Sequence, residues 1–184
     1  MLAFPLIRFK VMRIKTFLFL FIALFYSTNV LASDAKFFRN INGKWTGPGE
    51  IVAGKFKGTK FVCTFGGKNP SASKSGMDVN GSCRVGVFNQ KMNAKIVKTA
   101  GRYIGKFLDG ANGDGMDVTG GRYTRNRLVV DIKRKDLNGV LVANLSDPNK
   151  LKVTVLVKHG KKLIPVIGMN LARQGGTTLS KSTF

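Results

Sequence analysis

Apolar and polar residues alternate along most of the chain beyond residue 43, and a period of two predicts strands. Leu151, Val153, Val155 and Val157 interleave with Lys152, Thr154, Leu156 and Lys158, and Leu128, Val130 and Ile132 with Val129, Asp131 and Lys133. One face of each strand is therefore expected to be buried and the other wet. Helical spacing is hard to find, and the only glutamate, Glu50, leaves little to favour a long helix. The pattern predicts ten strands, over 44–53, 56–65, 77–88, 91–98, 101–108, 115–122, 127–134, 139–145, 150–158 and 161–173. Inside Phe56–Phe65 the apolar phase slips from even to odd across Gly58, which predicts a bulge there. Glycine, 22 residues in all, falls where hairpins must turn or strands must bend. Short antiparallel strands with tight connections fit an all-β protein. An up-and-down antiparallel barrel of 8–10 strands is preferred to a sandwich.

The first 32 residues do not belong to that pattern. Arg8, Lys10, Arg13 and Lys15 form a cationic head without an acid, and Phe17–Tyr26 is an unbroken apolar run. Val30-Leu31-Ala32 then places small residues where a leader is cut. The run is shorter than the roughly 20 residues that cross a bilayer. Residues 1–32 therefore read as a signal peptide, with Met12 as an alternative start, and the product as periplasmic or secreted in a Gram-negative bacterium. The expected organisation is leader 1–32, N-terminal segment 33–43, one barrel domain 44–173 and a C-terminal tail 174–184. Export favours a disulfide, and Cys63 and Cys83 are the only pair. Both share phase with Phe61, Phe65, Val79, Val85 and Val87, so the bridge should lie on the inward face.

Charge narrows the function. Without the leader and its four bases, 27 Lys and Arg face 9 acids, a formal charge of +18. Such a domain attracts anionic envelope components or an anionic small ligand, and export makes nucleic acid an unexpected partner. In a meander, alternate turns share a rim. One rim should gather Lys133, Arg134, Lys135, Lys158, His159, Lys161 and Lys162, and the other Lys68, Lys74, Lys98, Arg102, Arg122, Arg125, Arg127 and Lys150. Lys133, Arg134, Lys135, Lys158, Lys161 and Lys162 are the candidate anion site, because they come in two dense runs on adjacent hairpins. Asp109, Asn112, Asp114 and Asp117 form the only acidic cluster and a candidate calcium loop. Its spacing departs from that of an EF-hand, so an Asn-Gly turn is the expected role and no resident metal is expected.

One histidine and two cysteines leave no cluster for zinc, iron or copper, and the letters of a P-loop, a zincin or a catalytic triad are missing. His159 stands in a lysine-rich turn and the aspartates are mostly in turns. The chain is accordingly expected not to be an enzyme and to need no cofactor. An internal echo, Gly76–Gly81 against Gly115–Gly120, with Lys55–Phe61 against Arg102–Phe107, suggests a duplicated hairpin, or else convergent turn chemistry.

Gly43-Lys44-Trp45-Thr46 on the opening strand, continued by Gly54-Lys55-Phe56-Lys57-Gly58-Thr59, and Arg173 late in the last strand resemble the calycins, the lipocalin and avidin group. The resemblance implies that Trp45 plugs one barrel end and that Arg173 packs across it. The further tryptophans of an avidin biotin site are absent, so biotin is not implied. The avidin-like group includes exported bacterial metalloprotease inhibitors with one disulfide and an inhibitory N-terminal segment. Inhibition of an exported protease through an extended Ser33–Phe38 is therefore the alternative to a binding module for an anionic or apolar ligand or an envelope surface.

Overall fold

The computed structural model of the chain describes residues 32–70, 75–108 and 115–175. The expected leader, Lys74, Asp109, Asn112, Asp114 and nearly all of the expected tail lie outside the described residues. Ten strands form one closed sheet. They are β1 (Gly43–Ile51), β2 (Lys60–Lys68), β3 (Gly76–Val85), β4 (Phe88–Thr99), β5 (Arg102–Leu108), β6 (Met116–Thr124), β7 (Arg127–Arg134), β8 (Leu137–Asp147), β9 (Lys150–His159) and β10 (Lys162–Gln174). Each is antiparallel to its sequence neighbours, and β10 returns to pair with β1, so no edge is left to recruit another strand. This is the expected up-and-down barrel.

The alternation sorts the side chains as the pattern requires. Trp45, Leu128, Val130, Ile132, Leu151, Val153, Met169 and Leu171 point inward and belong to one buried core. The interleaved Lys152, Asp131, Lys133 and Asn170 are exposed. Three register shifts bend the wall, at Val118/Gly120, Leu145/Asp147 and Pro165/Ile167. None falls at Gly58. The phase slip there is the end of a strand rather than a bulge within one: residues 52–59 form a turn, in which the Gly58 amide donates to the Ile51 carbonyl at 2.8 Å. The two copies of the internal echo start β3 and β6, three strands apart, and so run in opposite directions along the wall.

The N-terminal segment departs most from expectation. Rather than being extended, Ala32–Asn40 is a helix, α1, and it closes one end of the barrel. Phe37 and Phe38 are buried in the core beside Tyr123 and Tyr103, with ring centroids 5.3 and 6.1 Å away. A segment whose aromatic side chains fill the barrel cannot also be the exposed inhibitory strand expected of a protease inhibitor. The C-terminal carbonyls of a helix lack intrahelical partners and need outside donors. Here two side chains provide them. Trp45 Nε1 donates to the Ile41 carbonyl at 2.9 Å, and the Arg173 guanidinium donates to the carbonyls of Asn40 and Asn42. Arg173 also donates from Nε to the Pro148 carbonyl at 3.1 Å and stacks over the Trp45 ring, 4.4 Å from its centroid. Gly43 takes φ +111° to turn the chain from α1 into β1, and Arg173 Nη1 stands 3.1 Å from where a Cβ would project.

A second anchor is ionic. Asp34, in the first turn of α1, is buried and accepts from Lys98 Nζ at 2.5 Å and from the Tyr103 hydroxyl at 2.9 Å. Burial pushes this carboxyl up, but hydrogen bonds from Lys98, Tyr103 and Ser75 and the Lys98 charge outweigh it, so its pKa falls below the usual 3.8. Burial first, and then the neighbouring carboxylate, push the Tyr103 phenol upward, so it remains a donor.

Two predictions follow from this end of the barrel. Arg173→Lys keeps the charge but loses the planar fork and its stacking on Trp45. It should cost about 1–3 kcal/mol through orphaned carbonyls, read as a lower thermal midpoint. Asp34, whose folded pKa is lowered, stabilises the fold above its unfolded pKa, and that contribution disappears as pH falls through the folded value. Thermal melts should therefore show Asp34→Asn less stable than the parent at pH 7, with the gap closing toward pH 3. A gap unchanged with pH would remove the ionic account.

Candidate functional site at the open end of the barrel

No described element crosses the other end. Five connections surround it: residues 52–59 between β1 and β2, the turns β3–β4, β7–β8 and β9–β10, and the β5–β6 loop, which lies partly outside the described residues. Burial falls off toward this mouth. Leu151, Val153, Leu145 and Leu171, near the plug, are buried, whereas Phe61, Leu141, Val155 and Ile167, farther along the same inward faces, are half-buried. The inward faces of β8–β10 are thus buried near the plug and apolar but partly accessible toward the mouth, whereas Val118 and Ile132 on β6 and β7 stay buried at that end. Gly49 contributes to its shape. A Cβ there would stand 2.2 Å from Phe61 Cε2, so the Phe61 ring lies against bare backbone on the barrel wall.

Cys63 and Cys83 face each other across β2 and β3 and are bridged, on the inward face as expected. Sulfur surrounds the bridge: Met169 Sδ lies 3.7 Å from the Cys63 sulfur and Met92 Sδ 3.3 Å from that of Cys83. A bridged sulfur carries no proton, so these are packing contacts between polarisable atoms.

The expected basic rim lies at the mouth on the β7–β8 and β9–β10 hairpins, but its members do not converge. Lys133, Lys135, Lys158, Lys161 and Lys162 are exposed, and Arg134 is half-buried. Lys133 and Lys158 fall on the outer phase of β7 and β9. Arg134, opposite Leu137, and Lys162, opposite His159, share the lumen phase, while Lys135 and Lys161 occupy the turns. Lys158 and Lys161 also line an open depression on the outer wall with Thr119, Asn138, Leu163 and Asp131, whose carboxylate opposes an anion there. Of the expected calcium ligands only Asp117 is described; it is exposed, 3.9 Å from Lys106. Among the described residues no three acidic, histidine or cysteine side chains gather as a metal site would require. The opposite set of bases belongs to the plugged end, where Lys98 is bound to Asp34 and Arg102 donates to the Thr119 carbonyl.

Sequence reasoning missed a second component of the rim. Phe56, Val87 and Phe88 project from its turns with 64, 90 and 78% of their surface exposed. The strand expected over 77–88 takes in Val87 and Phe88, whereas the chain turns at Gly86 with φ +56°. The signal available was Val-Gly-Val-Phe, a turn glycine among apolar residues with no polar residue to solvate the tip.

No family model matches the chain, and no curated protein matches its sequence. Solved structures resemble it. An S-type phycobiliprotein lyase from Guillardia theta is 13% identical, with a TM-score of 0.52 over 76% of this chain and 91% of that one. Rv2717c from M. tuberculosis is 10% identical, with a TM-score of 0.44 over 78% of this chain and 99% of that one. The barrel is thus of the calycin-like type, the part of the resemblance that the lyase likeness supports. That likeness also corrects the expectation of a protein that is not an enzyme. A lyase is built on the same barrel, so neither the architecture nor the missing His/Cys cluster excludes catalysis.

The bridge generates a prediction for this end of the molecule. Cys63→Ser with Cys83→Ser should lower stability by roughly 3 kcal/mol, the chain-entropy value for a loop of about 20 residues. Denaturant unfolding with and without reductant checks it: reductant should shift the parent midpoint and leave the double variant unmoved.

Proposed function

We propose that the chain is a ligand-binding barrel that takes an amphipathic, anionic small molecule through its open mouth, with the apolar part in the upper lumen and the charged head among the rim bases. The observation that carries this reading is the burial gradient along the inward faces of β8, β9 and β10. A core formed for stability alone would be packed to the same density throughout, whereas here the apolar wall formed by Phe61, Leu141, Val155 and Ile167 is left half-buried beside a rim rich in lysine. Small-molecule sites are concave and mostly apolar, with a few placed polar groups, and barrel mouths are a common place for them. Arg134 and Lys162, on the lumen phase, are the bases best placed to meet a carboxylate or phosphate head; Lys133, Lys135, Lys158 and Lys161 raise its local concentration. We also propose a periplasmic or secreted location, supported by the leader-like N-terminus and by a bridge of the kind that persists in oxidising compartments.

Titration with a fluorescent long-chain fatty acid tests the binding reading. Saturable, one-to-one binding that weakens with salt is expected. Val155→Trp, which fills the upper lumen, should abolish it, and Lys162→Glu should weaken it on the order of tenfold, as for loss of one charge-assisted contact. Unchanged binding in Val155→Trp would place the ligand elsewhere.

A further inference from the structure

The exposed apolar residues and the lysines of the rim are ordered in space. Three turns are consecutive around the mouth, because β10 pairs with β1 and β2 with β3: the β9–β10 turn, the β1–β2 turn and the β3–β4 turn. Each carries apolar side chains into solvent, namely Leu163 and Ile164, Phe56, and Val87 with Phe88. Each is flanked by bases, as in Lys55-Phe56-Lys57 and Lys161-Lys162-Leu163-Ile164, and no carboxylate lies within residues 52–60, 84–91 or 158–164. Lys55 Nζ stands 5.7 Å from the Phe56 ring centroid, with both groups exposed. Among the described residues, none of these lysines is in an ion pair. Leaving such side chains in water serves no purpose in an isolated barrel, and clustered exposed apolar groups mark an interaction surface.

We propose that this rim docks on an anionic lipid surface, with Phe56, Val87 and Phe88 entering the headgroup–acyl boundary and the flanking lysines resting on lipid phosphates. The occupant follows from the chemistry of the three tips. They are separate points, each an apolar wedge with cations one to three residues away. An anionic interface is apolar just beneath a negative plane, and so matches both parts of each tip. A protein groove would instead call for one continuous patch with carboxylates placed opposite each lysine. The inference goes beyond the ligand reading, since docking requires only the outer tips and not the lumen.

Site-directed fluorescence tests it in the full chain. Phe56→Trp is mixed with vesicles of phosphatidylcholine alone or with an equal part of phosphatidylglycerol, each with brominated acyl chains. Trp45, buried behind the plug, gives a constant background, and because every variant carries the same N-terminal apolar run, differences between variants report the turns. Quenching of the introduced indole by the anionic vesicles and not by the zwitterionic ones is expected. Lys55→Glu with Lys57→Glu should weaken partitioning about 25-fold or more, at about fivefold for each neutralised base. Val87→Ser with Phe88→Ser should weaken it by a similar factor. Absence of quenching, equal quenching on both vesicles, or binding indifferent to Val87→Ser with Phe88→Ser would overturn the proposal. So would a blue-shifted indole without vesicles accompanied by a dimer on size exclusion, which would assign the tips to a second copy. The fatty-acid titration separates the two readings: the Val87→Ser and Phe88→Ser variant should keep the soluble ligand, and Val155→Trp should lose it while still docking.

Discussion

The barrel depends on how the last turn of one short helix is satisfied. Three consecutive carbonyls, of Asn40, Ile41 and Asn42, emerge at the end of α1, and Trp45 and Arg173 donate to all of them. A nine-residue helix is not stable by itself in water, so α1 persists because the barrel caps it. The dependence is mutual, since Phe37, Phe38 and Ile41 supply part of the core that the ten strands close around. Arg173 also joins the last strand to the first residues of the fold, and with the β1–β10 pairing it ties the two ends of the sheet together. Its charge lies at the negative end of the helix dipole, which favours the same arrangement.

With one end fixed in this way, the other can depart from close packing. Buried aromatics, a desolvated carboxylate and a stacked guanidinium are concentrated around the plug, whereas the mouth has exposed turns, half-buried walls and a covalent tie across β2 and β3. Stability and recognition are thus separated along the barrel axis. That separation is what lets lysines and bare aromatics accumulate at one rim without loss of the fold.

Much of this was legible in the chain. Alternation located all ten strands, because residues facing a lumen and residues facing water follow the two-residue period directly. The inward phase of Cys63 and Cys83 and the division of the bases between two rims followed from the same parity. Trp45 and Arg173 were legible only by resemblance; nothing in their local sequence shows that they meet. Helix α1 was not legible because nine residues hold only about two and a half turns, and Phe37-Phe38 suits an extended segment as well as a helix. Asp34 looked like any surface aspartate, since its partners Lys98 and Tyr103 come from distant hairpins. Apolar parity also misleads where it runs on past the ends of strands: Phe56 and Val87 lie in turns rather than in the sheet, and Phe88 is the exposed first residue of β4.

The course of the backbone has a practical corollary. The chain enters the barrel through α1 and leaves it at Gln174, beside the carbonyls that Arg173 holds, so both ends of the folded unit depart from the plugged face. A tether fixed at the start of α1 or at Gln174 would join the folded unit on the face opposite the mouth.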